Sequence, residues 1–133
     1  MKINEHIQIW IEQLRTNPSE NILHSLIEAG EDALPPLVAA WRNERDPSIR
    51  NRFLEVLSEM PRNETVPLFE QELSSADHEE LRFAVLGLFR FDALRYEAEI
   101  LNAVQAHPTL SQERPFVEYV KNGIRAAKRR REG

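Results

Sequence analysis

Apolar side chains recur at intervals of three and four residues along this chain, and this spacing constrains its fold more than any other feature. Because an α-helix has about 3.6 residues per turn, side chains at these intervals lie on one face. Alternating β-branched residues are nearly absent, and the chain has only four glycines. The pattern predicts an all-α protein of amphipathic helices, with the first four apolar stripes at residues 3–14, 22–27, 34–41 and 49–60.

Turn and capping residues divide the chain between these stripes. Asp46 followed by Pro47 is a helix start, and Asp77 with Glu80 three positions later resembles a capping box. The linkers are short, so consecutive helices should form antiparallel hairpins, arranged either as a closed bundle or as an open stack. About eight helices are predicted, at residues 4–16, 19–29, 32–43, 47–60, 64–74, 78–91, 93–106 and 111–130.

An internal repeat favours the open stack. Arg50, Arg82 and Arg114 follow one another at positions i and i+32, whereas the caps Asp46 and Asp77 are related as i and i+31. The segments "PPL" and "VPL" are also related as i and i+31. One unit therefore comprises a cap, a helix that carries an arginine, a turn, and a helix with proline in its first turn. Such repeats bury their apolar faces by stacking on their neighbours.

These motifs resemble the HEAT-repeat family and the shorter HEAT-like repeats of phycobilin lyases. The resemblance rests on "DPSIRNRFLEVL" (46–57), "DHEELRFAVLGL" (77–88), "LPPLV" (34–38) and "TVPLF" (65–69), and it covers about residues 17–127. It implies a short right-handed α-solenoid of stacked antiparallel helical hairpins. Pro115 departs from the pattern, because it stands where the last helix should already be running.

The resemblance divides one domain, residues 1–133, into two caps and three repeats. Residues 1–16 form an N-terminal capping helix, and 109–133 form a C-terminal capping helix whose basic end is expected to fray. The repeats are predicted at 17–45, 46–76 and 77–108.

Composition excludes several classes of function. The chain has no cysteine, no phosphate-binding glycine loop and no histidine cluster with metal-ligand spacing, so we expect no metal, no cofactor and no enzymatic activity. The start of the chain, "MKINEHIQIW", does not resemble a signal peptide. The longest apolar run, at 83–89, is far shorter than the ~20 residues that span a bilayer. We therefore expect no membrane insertion and a cytoplasmic location.

Charge is distributed unevenly. Residues 1–120 hold 11 Lys and Arg against 21 Asp and Glu, a net charge of −10, whereas residues 121–133 hold 6 against 1, a net charge of +5. An acidic body disfavours nucleic-acid binding except through the basic tail. The positive charge of that tail is also explained by the preference of cations for a helix C-terminus.

Candidate functional residues each have a structural alternative. Arg50, Arg82 and Arg114 form either an anion-binding ridge or, as the resemblance implies, a structural ladder in which arginines pair with acidic residues of neighbouring repeats, such as Asp46 and Asp77. Trp41 is either a core residue or an aromatic anchor for a partner. An acidic groove with one aromatic residue, or simply a solvated face, is predicted for Glu70, Glu72, Tyr96, Glu97 and Glu99.

The predicted function is that of a non-enzymatic protein-interaction module, a scaffold that binds a basic protein partner through a concave acidic face. A sharper version is a bacterial immunity or antitoxin-like protein that neutralises a basic toxin. Two alternatives remain, a nucleic-acid-binding HEAT-like protein and a lyase-like fragment, and no residue is nominated as a catalyst for the latter. The sequence assigns no oligomeric state.

Overall fold

A computed structural model describes residues 2–132. Every regular element in this range is a helix, and no strand is formed there, which confirms the all-α prediction. The backbone divides into two compact units, Met1–Met60 and Pro61–Gly133. The division falls at the "PRNE" turn that separates two apolar stripes in the sequence.

The first unit contains four α-helices: α1 (Ile3–Thr16), α2 (Glu20–Ala29), α3 (Leu34–Asn43) and α4 (Pro47–Ser58). Helix α1 packs against each of the other three. Their apolar stripes meet in a core that excludes water from Ile7, Leu26, Leu37, Phe53 and Leu57.

The third helix begins later than the sequence predicts. Gly30 ends α2 with φ 65°, a left-handed backbone that favours glycine, and residues Gly30–Ala33 form a 3₁₀ turn. Helix α3 follows at Leu34 with its prolines in the first turn, where the missing N–H groups have no helical acceptor. The predicted start at residue 32 thus lies inside the 3₁₀ turn.

The second unit contains α5 (Val66–Glu72), α6 (His78–Asp92), α7 (Glu97–Ala106) and α8 (Arg114–Glu132). Helix α6 packs against α5 and α7, while a 3₁₀ turn at Leu110–Gln112 contacts both α7 and α8. The buried side chains between these helices include Phe69, Leu81, Leu88, Ile100 and Ile124.

Two glycines in this unit allow an aromatic ring to contact a helix backbone. A Cβ atom on Gly87 of α6 would lie 2.5 Å from the ring of Phe69 on α5. A Cβ atom on Gly123 of α8 would overlap the ring of Phe89 on α6 in the same way. Neither glycine has a positive φ, so both positions require glycine for close packing rather than for an unusual backbone.

Helix α8 corrects two sequence expectations. Pro115 occupies its first turn, so the helix simply begins at Arg114 rather than at residue 111, and proline is accommodated there. The helix also continues to Glu132, two residues beyond its predicted end at residue 130. Helix α5 is shorter than the predicted 64–74. Helix α7 begins at Glu97 rather than at the predicted residue 93, and residues 93–96 form turns.

Three side-chain contacts in the second unit join residues that are related as i and i+31. The Nε2 atom of His107 lies 2.7 Å from the Ala76 carbonyl, Arg82 pairs with Glu113, and Lys128 Nζ lies 2.8 Å from Glu97. The contact spacing equals the spacing of the caps Asp46 and Asp77. It is one position shorter than the spacing of the arginines.

Candidate protein-binding surface

The two repeated aspartates cap their own helices, as the sequence predicts. Asp46 Oδ1 accepts hydrogen bonds from the N–H groups of Ser48 and Ile49, at 2.9 and 3.4 Å. Asp77 Oδ1 accepts from Glu79 and Glu80 at 2.9 and 3.1 Å. Each carboxylate thus satisfies first-turn donors that have no acceptor within the helix.

Arg50 of α4 contacts the preceding helix, α3. Its guanidinium carbon lies 4.1 Å from the centre of the Trp41 ring, a cation–π geometry, and its Nε donates to the Trp41 carbonyl at 3.2 Å. Trp41 itself is only 3% exposed. So buried a side chain presents almost no surface to a partner, and its position is that of a core residue.

Arg82 and Arg114 lie in different settings from Arg50. Arg82 pairs with Glu79 at 3.0 Å and with Glu113, and its guanidinium carbon is 5.7 Å from the centre of the Phe116 ring. Arg114 is the exposed first residue of α8. At the i, i+31 spacing, the counterpart of Arg82 is therefore Glu113, the residue to which it pairs, rather than Arg114.

Two glutamates of the predicted acidic groove, Glu70 and Glu99, act electrostatically on its aromatic residue, Tyr96. Tyr96 immediately precedes α7, is 5% exposed, and has a buried hydroxyl that makes no hydrogen bond of ordinary length and angle. Glu70 on α5 and Glu99 on α7 are both exposed, and both carboxylates act electrostatically on this hydroxyl. We call Glu70, Tyr96 and Glu99 the Tyr96 surface.

The electrostatics of the Tyr96 surface are those of an excess of negative charge. Burial first, and then the Glu70 and Glu99 carboxylates, raise the pKa of Tyr96 above its usual range, because each disfavours the phenolate. Glu70 acts both through its charge and as a weak acceptor for the phenol proton. Arg95 opposes these effects from a position 5.2 Å from the centre of the Tyr96 ring. Within residues 2–132, neither glutamate takes part in an ion pair.

The other two glutamates of the predicted groove, Glu72 and Glu97, do not belong to the Tyr96 surface. Residues two apart on a helix point in nearly opposite directions, so Glu97 and Glu99 cannot share a face. Glu97 pairs with Lys128 on α8. Glu72 is half-buried and is not among the groups that influence Tyr96. The predicted groove of four glutamates is therefore divided between different faces.

A basic helical segment lies in the same unit. The last three turns of α8 carry six cations, of which five are exposed, and only Lys128 has an ion-pair partner within residues 2–132. Arg125 donates to the neutral Asn122 side chain at 3.0 Å. The cations are Lys121, Arg125, Lys128, Arg129, Arg130 and Arg131.

His107 has a structural role that the sequence pattern alone does not show. Its Nδ1 accepts the N–H groups of Thr109 and Leu110, both at 3.1 Å. The ring hydrogen therefore lies on Nε2, which donates to the Ala76 carbonyl. The i, i+31 spacing, extended beyond the caps, is the one sequence signal that points to this contact and to the Arg82–Glu113 and Glu97–Lys128 pairs.

Among residues 2–132, no group of three or more His, Asp or Glu side chains is placed to hold a metal ion. Across the same range, no helix has both the length and the apolar character required to cross a bilayer. No protein-family model matches the chain, and no curated protein or solved structure matches it significantly.

Proposed function

We propose that this chain is a non-enzymatic protein-interaction module that binds a basic segment of a partner at the Tyr96 surface. The observation that carries the proposal is that Glu70 and Glu99, two exposed carboxylates that both act electrostatically on Tyr96, have no ion-pair partner within residues 2–132. An ammonium or guanidinium group of a partner is attracted by both of these exposed carboxylates.

The wider architecture that we propose is a HEAT-like α-solenoid. It is supported by the two helix caps at the i, i+31 spacing and by the three contacts at that same spacing in the second unit. Contacts between equivalent positions of successive repeats are what stacking of such units produces. A scaffold of this kind, placed in the cytoplasm, presents a surface and needs no catalytic group. An immunity-type role against a basic toxin is a special case of the same binding mode.

Binding of a fluorescein-labelled nona-arginine peptide, followed by fluorescence anisotropy, tests the proposal. The double variant Glu70→Gln/Glu99→Gln should bind about three- to tenfold more weakly, because exposed ion pairs contribute about 0.2–1 kcal/mol each. Tyr96→Phe should change binding much less, because the hydroxyl that it removes is buried and out of reach of the peptide.

The matched control changes the same net charge at a distant place. Glu28 and Glu31 are exposed residues of the first unit, so Glu28→Gln/Glu31→Gln lowers the negative charge equally without touching the Tyr96 surface. If this control weakens binding as much as the Glu70/Glu99 variant, peptide binding reflects bulk charge and the proposed site is wrong. Failure of the wild-type protein to bind the peptide at low salt contradicts the proposal outright.

A further inference from the structure

The positive charge of α8 extends beyond what the end of a helix attracts. A helix C-terminus favours cations, but this effect is confined to about the last turn. Arg129, Arg130 and Arg131 lie in that turn, whereas Arg125 lies about two turns before the helix ends. Arg125 donates to the neutral Asn122 side chain and belongs to no ion pair within residues 2–132. Its charge therefore has no structural role of that kind.

Arg125 and Arg129 form an exposed basic face of α8. They are four positions apart, so their side chains lie one above the other on the same side of the helix. Both are exposed, and Arg129 likewise has no ion-pair partner in the described part of the chain. A guanidinium group is planar and presents two parallel N–H donors, which match the oxygens of a phosphate. Two such groups one turn apart suit a partner that carries phosphates in series.

An exposed aromatic ring lies on the same helix. Tyr119 is 54% exposed, and its ring centre lies 5.5 Å from that of Phe89 on α6. The Phe89 ring also fills the space where Gly123, one turn after Tyr119, has no side chain. Contact with α6 therefore holds the Tyr119 ring in place, while more than half of the residue remains open to solvent.

Helical geometry places the ring beside the basic face. Arg125 and Arg129 project about 80–120° away from Tyr119 around the axis and lie about 9–15 Å further along it. Asn122 and Ala126, which lie between them, have short side chains that leave the ring accessible. One extended strand that follows α8 thus contacts both the ring and the arginines.

These features favour a single-stranded nucleic acid over a membrane or an acidic protein. A helix that binds at a lipid interface inserts an apolar face, but Val120 and Ile124 of α8 are buried within the second unit. An acidic protein segment would use the arginines and leave the exposed Tyr119 ring without a role. A single strand offers regularly spaced phosphates together with unstacked bases, which stack on aromatic side chains.

We propose that α8 is a contact for single-stranded nucleic acid, in which Arg125 and Arg129 bind phosphates and Tyr119 stacks on a base. This goes beyond the proposed function, because it uses a different surface and a partner of opposite charge. Residues 1–120 carry a net charge of −10, so most of the molecule repels the strand and the contact is local. Its affinity therefore falls steeply as salt is added.

Fluorescence anisotropy of a fluorescein-labelled single-stranded oligothymidylate, titrated with the full chain over a salt series, tests the proposal. Each phosphate contact contributes about −0.7 to the slope of log affinity against log salt concentration, so Arg125→Gln/Arg129→Gln should bind more weakly and reduce that slope by about 1.4. Tyr119→Ala should weaken binding at least about fivefold without changing the slope, because it removes stacking and no charge. Tyr119→Phe keeps the ring and should bind as the wild type does.

Arg42→Gln/Arg45→Gln is the matched control, since it removes two exposed arginines of the first unit and should leave the slope unchanged. The inference is overturned if the wild type does not bind at low salt, or if this control reduces the slope as much as the Arg125/Arg129 variant. Equal affinity of Tyr119→Ala and the wild type also overturns it, because the strand is then bound as a polyanion only.

The membrane alternative has its own outcome. If phosphatidylserine vesicles bind the wild type but not the Arg125/Arg129 variant, while oligothymidylate binds neither, α8 is a membrane contact and the inference is wrong. Binding of nona-arginine at the Tyr96 surface is measured separately, so the proposed function stands or falls independently of these results.

Discussion

Helices α4 and α6 carry the same sequence motif, yet they use it differently. Each begins at a capping aspartate, and each carries an arginine about one turn later. In α4, Arg50 stacks on Trp41 of the preceding helix. In α6, Arg82 pairs with Glu79 on its own helix and with Glu113 just before α8.

A difference of a single position in spacing explains this. Arg50 stands four positions after Asp46, whereas Arg82 stands five positions after Asp77. Each step along an α-helix turns a side chain by about 100°, so the two arginines leave their helices in different directions. The arginines recur at i and i+32, whereas the capping aspartates and the side-chain contacts recur at i and i+31. Arg50 and Arg82 are therefore similar in sequence but do not occupy equivalent positions in their helices.

The same alignment reveals a second difference between α4 and α6. At the i, i+31 spacing, Gly87 of α6 corresponds to Val56 of α4. Val56 is a fully buried side chain, while Gly87 has no side chain and the Phe69 ring of α5 fills the space. Helix α6 thus allows an aromatic ring against its backbone, where α4 carries a branched side chain.

The largest expected effect is that of Gly87→Ala. The added methyl group collides with the fully buried Phe69 ring, and overpacking of this kind costs about 1–3 kcal/mol, which outweighs the roughly 1 kcal/mol that alanine gains in helix propensity. We expect a net loss of up to about 2 kcal/mol in the free energy of unfolding, measured by urea denaturation. In a Phe69→Ala background the same substitution should stabilise the protein. A stabilised single variant would contradict the close contact.

A double-mutant cycle on Arg82→Gln and Glu113→Gln has the next largest expected effect. The two side chains are each 28% exposed, so their coupling should be about 1 kcal/mol at low salt and should fall as salt is added. Arg114→Gln, one position along, should change the free energy of unfolding by less than about 0.5 kcal/mol, as ordinary surface substitutions do. If Arg82 were coupled to Arg114 rather than to Glu113, the contacts would follow the i, i+32 spacing, and the i, i+31 interpretation would be wrong.

The corresponding cycle in α4 pairs Arg50→Gln with Trp41→Leu. A cation–π contact contributes about 0.5–1 kcal/mol at such partly exposed sites, and it depends less on salt than an ion pair between exposed groups. We therefore expect a coupling no larger than that of Arg82 and Glu113, with little change between low and high salt. If the coupling of Arg50 to Trp41 depended on salt as strongly as the coupling of Arg82 to Glu113, the inferred difference between the arginine contacts of α4 and α6 would be wrong.

The smallest expected effect concerns Tyr96 at alkaline pH. The folded-state pKa of Tyr96 is raised above the unfolded value of 10.0, so below that pH both states hold the proton and the ionisation contributes no change. As pH rises past this value, the unfolded chain loses its proton first and the free energy of unfolding falls. Urea midpoints for the wild type and Tyr96→Phe should therefore diverge in slope above about pH 10, with the variant losing less stability. Tyr119→Phe, at an exposed tyrosine, should follow the wild type.

Most of the candidate surface was not predictable from residue types alone. The sequence indicated the acidic and aromatic residues, but it grouped Glu97 with Glu99 although positions two apart face opposite ways. The pairing of Glu97 with Lys128, and the buried hydroxyl of Tyr96 beside Glu70, depend on how α5, α7 and α8 approach one another. Trp41 was named as an anchor or a core residue, and only its burial distinguishes the two.

Local chemistry determined the helices of this protein, and tertiary packing determined what they display. Apolar spacing, the caps Asp46 and Asp77 and the first-turn prolines act within a few residues, so the sequence by itself established the all-α class and the order of the elements. The start of α8 at Arg114, the close contact at Gly87 and the different partners of Arg50 and Arg82 depended on how the helices pack. Because each residue of an α-helix is rotated by about 100° from the one before it, a shift of one position gives a side chain a different neighbour. Which neighbour it contacts is decided only when the helices pack.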